Sequence, residues 1–154
     1  GGVLVNNASV LGWRAQQSQA HYAAAKAGIT ALTLSSSRAL KRYGVRANAI
    51  CPRARTAMTA AVFGDAPADG VDPLSPEHVV RLVNFLASPD SDDVTGQVFV
   101  VYGPRVTLMA APTVDEVFEA EGDAWNADDL TKSLTSYFAE RDPSKTFTAR
   151  GLVN

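Results

Sequence analysis

Tyr22 and Lys26 stand four apart in the run Ala20-His21-Tyr22-Ala23-Ala24-Ala25-Lys26-Ala27-Gly28. Ala is the strongest helix former, and nothing from Ala20 to Lys26 breaks a helix. Residues at i and i+4 project from one helix face, one turn apart. The run therefore sets a phenol beside an ammonium, and that pairing has chemical meaning. A free tyrosine ionises near pH 10 and is a poor base at neutrality, whereas a nearby ammonium favours the phenolate form. A phenol tuned in this way passes a proton to or from a carbonyl or alcohol oxygen. Ser9, thirteen residues before Tyr22 on the preceding segment, is placed to donate a hydrogen bond to that same oxygen. Taken alone, Tyr22 and Lys26 read as a core-edge aromatic and a solvated lysine, and Ser9 as a strand-end turn residue. His21 falls on another helix face and is given no role.

The flanking text decides between these readings. Val3 to Ala8 is an apolar run between glycines and Ser9, the pattern of a buried parallel strand. Gly12 to Gln19 reads as a loop over the site, with Trp13 either lining a pocket or covering the core. Ala20 to Arg42 reads as one long helix, ending in basic residues before Gly44. Val45 to Ile50 reads as a strand, followed by the loop Pro52-Arg53-Ala54-Arg55-Thr56-Ala57-Met58-Thr59. Thr59 to Leu74, rich in Ala, Gly, Asp and Pro, reads as a mobile loop. Ser75-Pro76-Glu77 is an N-cap, a first-turn proline and an acidic first turn. A helix then runs to about Ala87, burying Val79, Val80, Leu82, Val83 and Leu86, and Val94 to Tyr102 forms the next strand.

In this order and at this spacing, the landmarks resemble the short-chain dehydrogenase/reductase family. "GGVLVNNASVLG" resembles that family's fifth strand entering its catalytic serine. "QAHYAAAKAGITALTLSSSRALKRYGVRANAICP" resembles its active-site helix, sixth strand and following proline, and "VTGQVFVVYG" its seventh strand. The resemblance spans about residues 1–103 and implies an α/β fold: the C-terminal part of a doubly wound parallel-sheet Rossmann fold. By the same resemblance Ser9, Tyr22 and Lys26 are the catalytic set. Tyr22 and Lys26 also bind the cofactor, NAD or NADP, with Thr56 and the backbone at Ala54 flanking the nicotinamide. The implied substrate is a small-molecule carbonyl or alcohol. The implied assembly is a homodimer or homotetramer with the active-site helix in the dimer face. Two departures matter: Arg53 stands where the family has Gly, and Pro52 to Thr56 is one residue short. The short form resembles 3-hydroxyacyl-CoA dehydrogenases of multifunctional β-oxidation enzymes and their 17β-hydroxysteroid dehydrogenase relatives, which points to 3-oxoacyl/3-hydroxyacyl thioesters or hydroxysteroids. Arg53 and Arg55 either meet cofactor phosphates or are solvated.

The glycine-rich phosphate turn of such a fold follows its first strand, and no turn of that kind occurs in the chain. The resemblance thus implies a C-terminal portion that lacks the first four strands. An alternative of another class goes with it: a non-catalytic fragment or dimerisation module that binds no dinucleotide.

Composition sets the remaining bounds. The chain has 154 residues, 46% hydrophobic and 19% charged, with a net charge of −2. No basic cluster suits nucleic acid or a membrane surface, and the apolar runs are far short of a membrane span. A lone cysteine, Cys51, excludes an internal disulfide framework and fits a reducing cytoplasm; at a strand end it reads as a small buried apolar residue. No positively charged leader opens the chain, and no metal site is expected. Two parts are expected: residues 1–103 as the reductase half, and 104–154 as an α-rich extension packed on it, rather than crossing a subunit boundary or covering a long substrate. Within the extension, Val106 to Ala110 reads as a short strand, and Thr113-Val114-Asp115-Glu116 matches a capping box before a first helix. Asn126 caps a second helix carrying Leu130, Leu134, Tyr137 and Phe138 at helical spacing.

Overall fold

The structure is a computed structural model and describes residues 1–147; the last part of the expected extension, 148–154, lies outside the described residues. The chain forms two compact units, Gly1–Met109 and Ala110–Phe147.

The first unit is built on a four-stranded sheet of β1 (Gly2–Asn7), β2 (Val45–Pro52), β3 (Val98–Tyr102) and β4 (Arg105–Leu108), in that spatial order. β1, β2 and β3 run parallel, and β4 returns antiparallel to β3 around Gly103 and Pro104. Parallel neighbours need crossovers, and helices supply them. Between β1 and β2 lie α1 (Leu11–Arg14) and α2 (Ala20–Ala39); between β2 and β3 lie α3 (Ala60–Phe63) and α4 (Glu77–Ala87).

Side chains alternate across a strand, and the core divides accordingly. Ala8, Ala49, Cys51, Val98 and Val100 form one cluster, against which Trp13, Ile29 and Leu34 pack. Ile50 and Val101 join Leu82 and Leu86 of α4 in the other, with Val5, Val79 and Val83 around them. The inner strands β2 and β3 are thus covered on both faces, as in a doubly wound arrangement, while much of β1 and β4 is exposed. α2 buries Thr30, Thr33 and Ser37. Thr33 and Ser37 satisfy their hydroxyls by donating at 2.8 Å to the carbonyls of Ile29 and Leu34, and Asn6 Nδ2 donates to Thr33 Oγ1 at 2.9 Å.

Several boundaries differ from the sequence reading, each for a visible reason. The expected 12–19 loop contains the single turn of α1, and the expected 59–74 loop contains α3. α2 stops as α-helix at Ala39; a 3-10 turn, Lys41–Tyr43, completes it before Gly44, whose φ of +67° favours glycine. β3 begins at Val98 rather than Val94, because Gly96 takes φ +69° and the fully buried Asn48 engages the approach. Asn48 Nδ2 donates to the Val94 carbonyl at 2.7 Å, and the Gln97 N–H donates to Asn48 Oδ1 at 3.0 Å.

Arg46 binds the end of α4 to the sheet. Its side chain is 12% exposed and pairs with Asp92 at 3.5 Å. The guanidinium donates to the Leu86 carbonyl, Ser91 Oγ and the Ser88 carbonyl at 2.9, 2.9 and 3.0 Å. The two carbonyls are among the acceptors that a helix end leaves without an intrahelical partner. Among the described residues no helix is long and apolar enough to cross a membrane.

In the second unit, α5 (Ala127–Glu140) is capped by Asn126, whose Oδ1 accepts from Asp129 N–H at 2.9 Å. The expected helix after Thr113 is absent: 113–120 is irregular, with Val114 and Val117 exposed. A capping box ends a helix well but does not form one; without an apolar face to bury, a short helix is marginal.

Replacing Arg46 by Met is expected to lower stability by about 1–3 kcal/mol, since the three hydrogen bonds that the guanidinium donates between β2 and the end of α4 are lost. A urea midpoint unchanged from wild type would contradict this role.

Candidate active site

The parallel strands all point their carboxyl ends toward one edge of the sheet, where ligands of open α/β folds bind. Three segments with candidate residues leave from that edge: Ser9 after β1, the 53–59 loop after β2, and the face of α2 beside them.

Lys26 ties these together. Its Nζ donates to the main-chain oxygen of Asn7, the last residue of β1, at 2.7 Å. The same ammonium stands 5.7 Å from the centre of the Tyr22 ring. Tyr22 is 39% exposed. The helix therefore does what its spacing implied: it places phenol and ammonium together, and it places them at a strand end. Two residues beyond Asn7, Ser9 Oγ accepts the Leu11 N–H at 3.2 Å, which leaves the hydroxyl hydrogen directed elsewhere. Gly12 secures the geometry. A Cβ there would lie 2.8 Å from Ala27 N and 3.0 Å from the Lys26 carbonyl carbon, both backbone. Only a glycine lets the serine loop approach α2 this closely.

Thr56 and Ala54 lie in a second hydrogen-bonded cluster organised by Thr59, which the sequence reading did not single out. Thr59 Oγ1 donates to the Ala54 carbonyl at 2.8 Å and accepts the Thr56 N–H at 2.8 Å. The Thr56 hydroxyl lies 3.2 Å from the same oxygen. The signal was present as Thr56-x-x-Thr59, a side-chain-to-backbone turn of the kind hydroxyl residues favour.

Both arginines have partners within the chain. Arg53 lies over the rings of Tyr102 and Phe63, at 4.9 and 5.4 Å, a cation–π placement, while its N–H donates to the Val101 carbonyl at 2.9 Å. Arg55 forms a two-pronged pair with Asp72, Nε to Oδ2 at 3.1 Å and Nη2 to Oδ1 at 3.4 Å. It also donates to the Phe63 carbonyl at 2.8 Å and to that of Gly64. The hydrogen bond from Arg55, aided by that from the Leu74 N–H, holds the Asp72 carboxyl below the usual carboxylate range.

Cys51 is 2% exposed, the small buried apolar residue expected. Burial pushes its thiol up to about 12, with the nearby Lys26 ammonium pulling the other way. Trp13 packs on the same cluster. Among the described residues no three His, Cys, Asp or Glu side chains gather to hold a metal.

Two outcomes follow. Gly12→Ala should lower stability by about 1–3 kcal/mol through overpacking, read as a fall in denaturation midpoint; an unchanged midpoint would show the approach to be slack. For Cys51, the folded thiol titrates near 12 against an ordinary 9.0. The neutral form thus favours the folded state. That contribution is whole below pH 9.0 and is lost as pH rises toward about 12. A thiol reagent at pH 8 should label Cys51 only as the chain unfolds, and Cys51→Ala should flatten the alkaline fall in stability.

Comparison with known proteins identifies the chain's relatives. The sequence profile described as "Enoyl-(Acyl carrier protein) reductase" matches residues 1–103. Hydroxyacyl-CoA dehydrogenase ChsB1 of Mycobacterium tuberculosis is 59% identical over 155 residues, covering 99% of this chain and 49% of its own. The crystal structure of a short chain dehydrogenase from Mycobacterium avium matches with a TM-score of 0.76 at 30% identity, over 97% of this chain and 48% of that one. A gluconate 5-dehydrogenase from Burkholderia cenocepacia, solved in complex with NADP and tartrate, matches with a TM-score of 0.57 at 30% identity, over 66% of this chain and 44% of that one. The chain thus spans about half the length of these proteins. It belongs to the short-chain dehydrogenase/reductase family.

Proposed function

We propose that the protein is an NAD(P)-dependent oxidoreductase interconverting a carbonyl and a secondary alcohol, with a 3-oxoacyl/3-hydroxyacyl thioester as substrate. The observation that carries this reading is the placement of Lys26 Nζ between the Asn7 carbonyl, at 2.7 Å, and the Tyr22 ring, at 5.7 Å. The identity to a hydroxyacyl-CoA dehydrogenase supports the thioester over the hydroxysteroid.

Tyr22 is the acid/base. Its hydroxyl gives a proton to the substrate oxygen in reduction and takes it back in oxidation. Lys26 sets its ammonium 5.7 Å from the centre of the Tyr22 ring, beside the proton-carrying group. An ammonium has three donors and Asn7 takes one, so donors remain for hydroxyls of a nicotinamide ribose. Ser9 donates its hydroxyl hydrogen to the substrate oxygen, oriented by the bond that Oγ accepts from Leu11. Thr56 and the backbone at Ala54 flank the nicotinamide on the loop that Thr59 shapes. The donor set at the strand ends thus suits a dinucleotide, and bound NAD or NADP supplies the hydride acceptor or donor.

Tyr22→Phe should reduce turnover of a 3-oxoacyl-CoA, followed by NAD(P)H absorbance, by about 10²–10⁴. The stability of this variant should stay near wild type, because the ring is 39% exposed. Unchanged turnover would refute the assignment of Tyr22. A chain that gives no saturable NADH fluorescence change would instead support a non-catalytic dimerisation module.

A further inference from the structure

Arg53 holds a charge that the fold does not use. It follows Pro52 at the end of β2, and its N–H extends the ladder by donating to the Val101 carbonyl at 2.9 Å. Its guanidinium lies against two half-buried rings, 4.9 Å from the centre of Tyr102 and 5.4 Å from that of Phe63. A guanidinium carries five N–H donors in a planar fork. Among the described residues none of these donors meets an acceptor, and no carboxylate pairs with the charge. Arg55 shows the contrast. It meets both oxygens of Asp72 and the carbonyls of Phe63 and Gly64, so its charge is consumed by the loop it fastens.

A guanidinium that stacks on rings keeps its edges, where the donors are, for a ligand. Held beforehand by β2 on one side and by two rings on the other, it binds with less loss of side-chain freedom. The place of Arg53 in the sheet indicates which anion it meets. Lys26 reaches the end of β1, whereas Arg53 leans from β2 toward β3, the strand that carries Tyr102. β1 resembles the family's fifth strand. In a doubly wound sheet the dinucleotide phosphates sit at the turn after the first strand, which the fourth strand separates from the fifth. Those phosphates therefore belong across β1 from Arg53, and the anion on the β3 side is a substrate's.

We propose that Arg53 binds a phosphate on the coenzyme A arm of the substrate, an inference that rests on the thioester reading above. Two N–H groups of the fork meet two phosphate oxygens, the paired geometry for which arginine is suited and lysine is not. The resembled family has Gly at this position, with no side chain to reach an anion. Arg53 is thus a determinant of which thioester is accepted, and takes no part in the proton transfer assigned to Tyr22.

The test titrates the full chain with coenzyme A by calorimetry, which reads binding without turnover. Saturable binding is expected, weakened about tenfold or more by Arg53→Met. Arg53→Lys should weaken it less, because an ammonium keeps the charge but not the fork. Met keeps an apolar chain against Phe63 and Tyr102, so the urea midpoint of Arg53→Met should stay near that of wild type. Pantetheine, which lacks the phosphates, should bind wild type and Arg53→Met alike, as should NADPH. No binding of coenzyme A, equal binding by wild type and Arg53→Met, a loss as large for pantetheine, or a loss confined to NADPH would overturn the proposal. Turnover does not enter this readout, so its failure is told apart from unchanged turnover in Tyr22→Phe.

Discussion

The main-chain oxygen of Asn7 marks where β1 ends, and Lys26 donates to it at 2.7 Å. A carbonyl at a strand end has left the ladder and needs a donor; here the donor is a charged side chain from a helix. That bond sets the rotation of α2 about its axis, and hence the direction of Tyr22 one turn earlier. It also sets where the serine loop meets the helix, an approach close enough that Gly12 is required. Ser9 lies on one stretch of chain and Tyr22 with Lys26 on another, and this hydrogen bond relates the two.

The sheet beneath is held by fewer and stronger devices than its size suggests. Asn48, fully buried, takes both its hydrogen bonds from the turn before β3, and Arg46 ties β2 to the end of α4. An unpartnered buried amide would be destabilising by a few kcal/mol; paired, Asn48 and Arg46 fix register. They sit two apart on the strand whose odd positions Ala49 and Cys51 line the α2 side. The middle strand thus carries polar anchors at its start and apolar packing at its end, near the candidate site.

Where the sequence was legible, the elements follow local rules that packing reinforces. The alanine run around Tyr22, the alternation of β2 and the Asn126 cap all lie where their patterns indicate, and the family resemblance matched the comparison over the same residues, 1–103. The failures have a common cause. The capping box at Thr113 is a local signature with no apolar face to bury, so it ends in coil. Arg55 looked available for phosphate because its partner Asp72 is seventeen residues away, a distance that no motif spans. Gly12 and Thr59 act through backbone approach and backbone hydrogen bonds, which residue type alone does not announce.

The Arg55–Asp72 pair closes a ring of chain from the end of β2 to the start of α4, with α3 inside it. Arg55 also holds the carbonyls of Phe63 and Gly64, and its own N–H donates to the Leu74 carbonyl at 2.7 Å, so one residue gathers the ends and the middle of the ring. With the Asp72 carboxyl held below its ordinary range, the fastening keeps its charge through mild acid and weakens only as pH falls through that lowered value. Loosening this side of the strand ends therefore means parting Arg55 from Asp72, Phe63, Gly64 and Leu74 together.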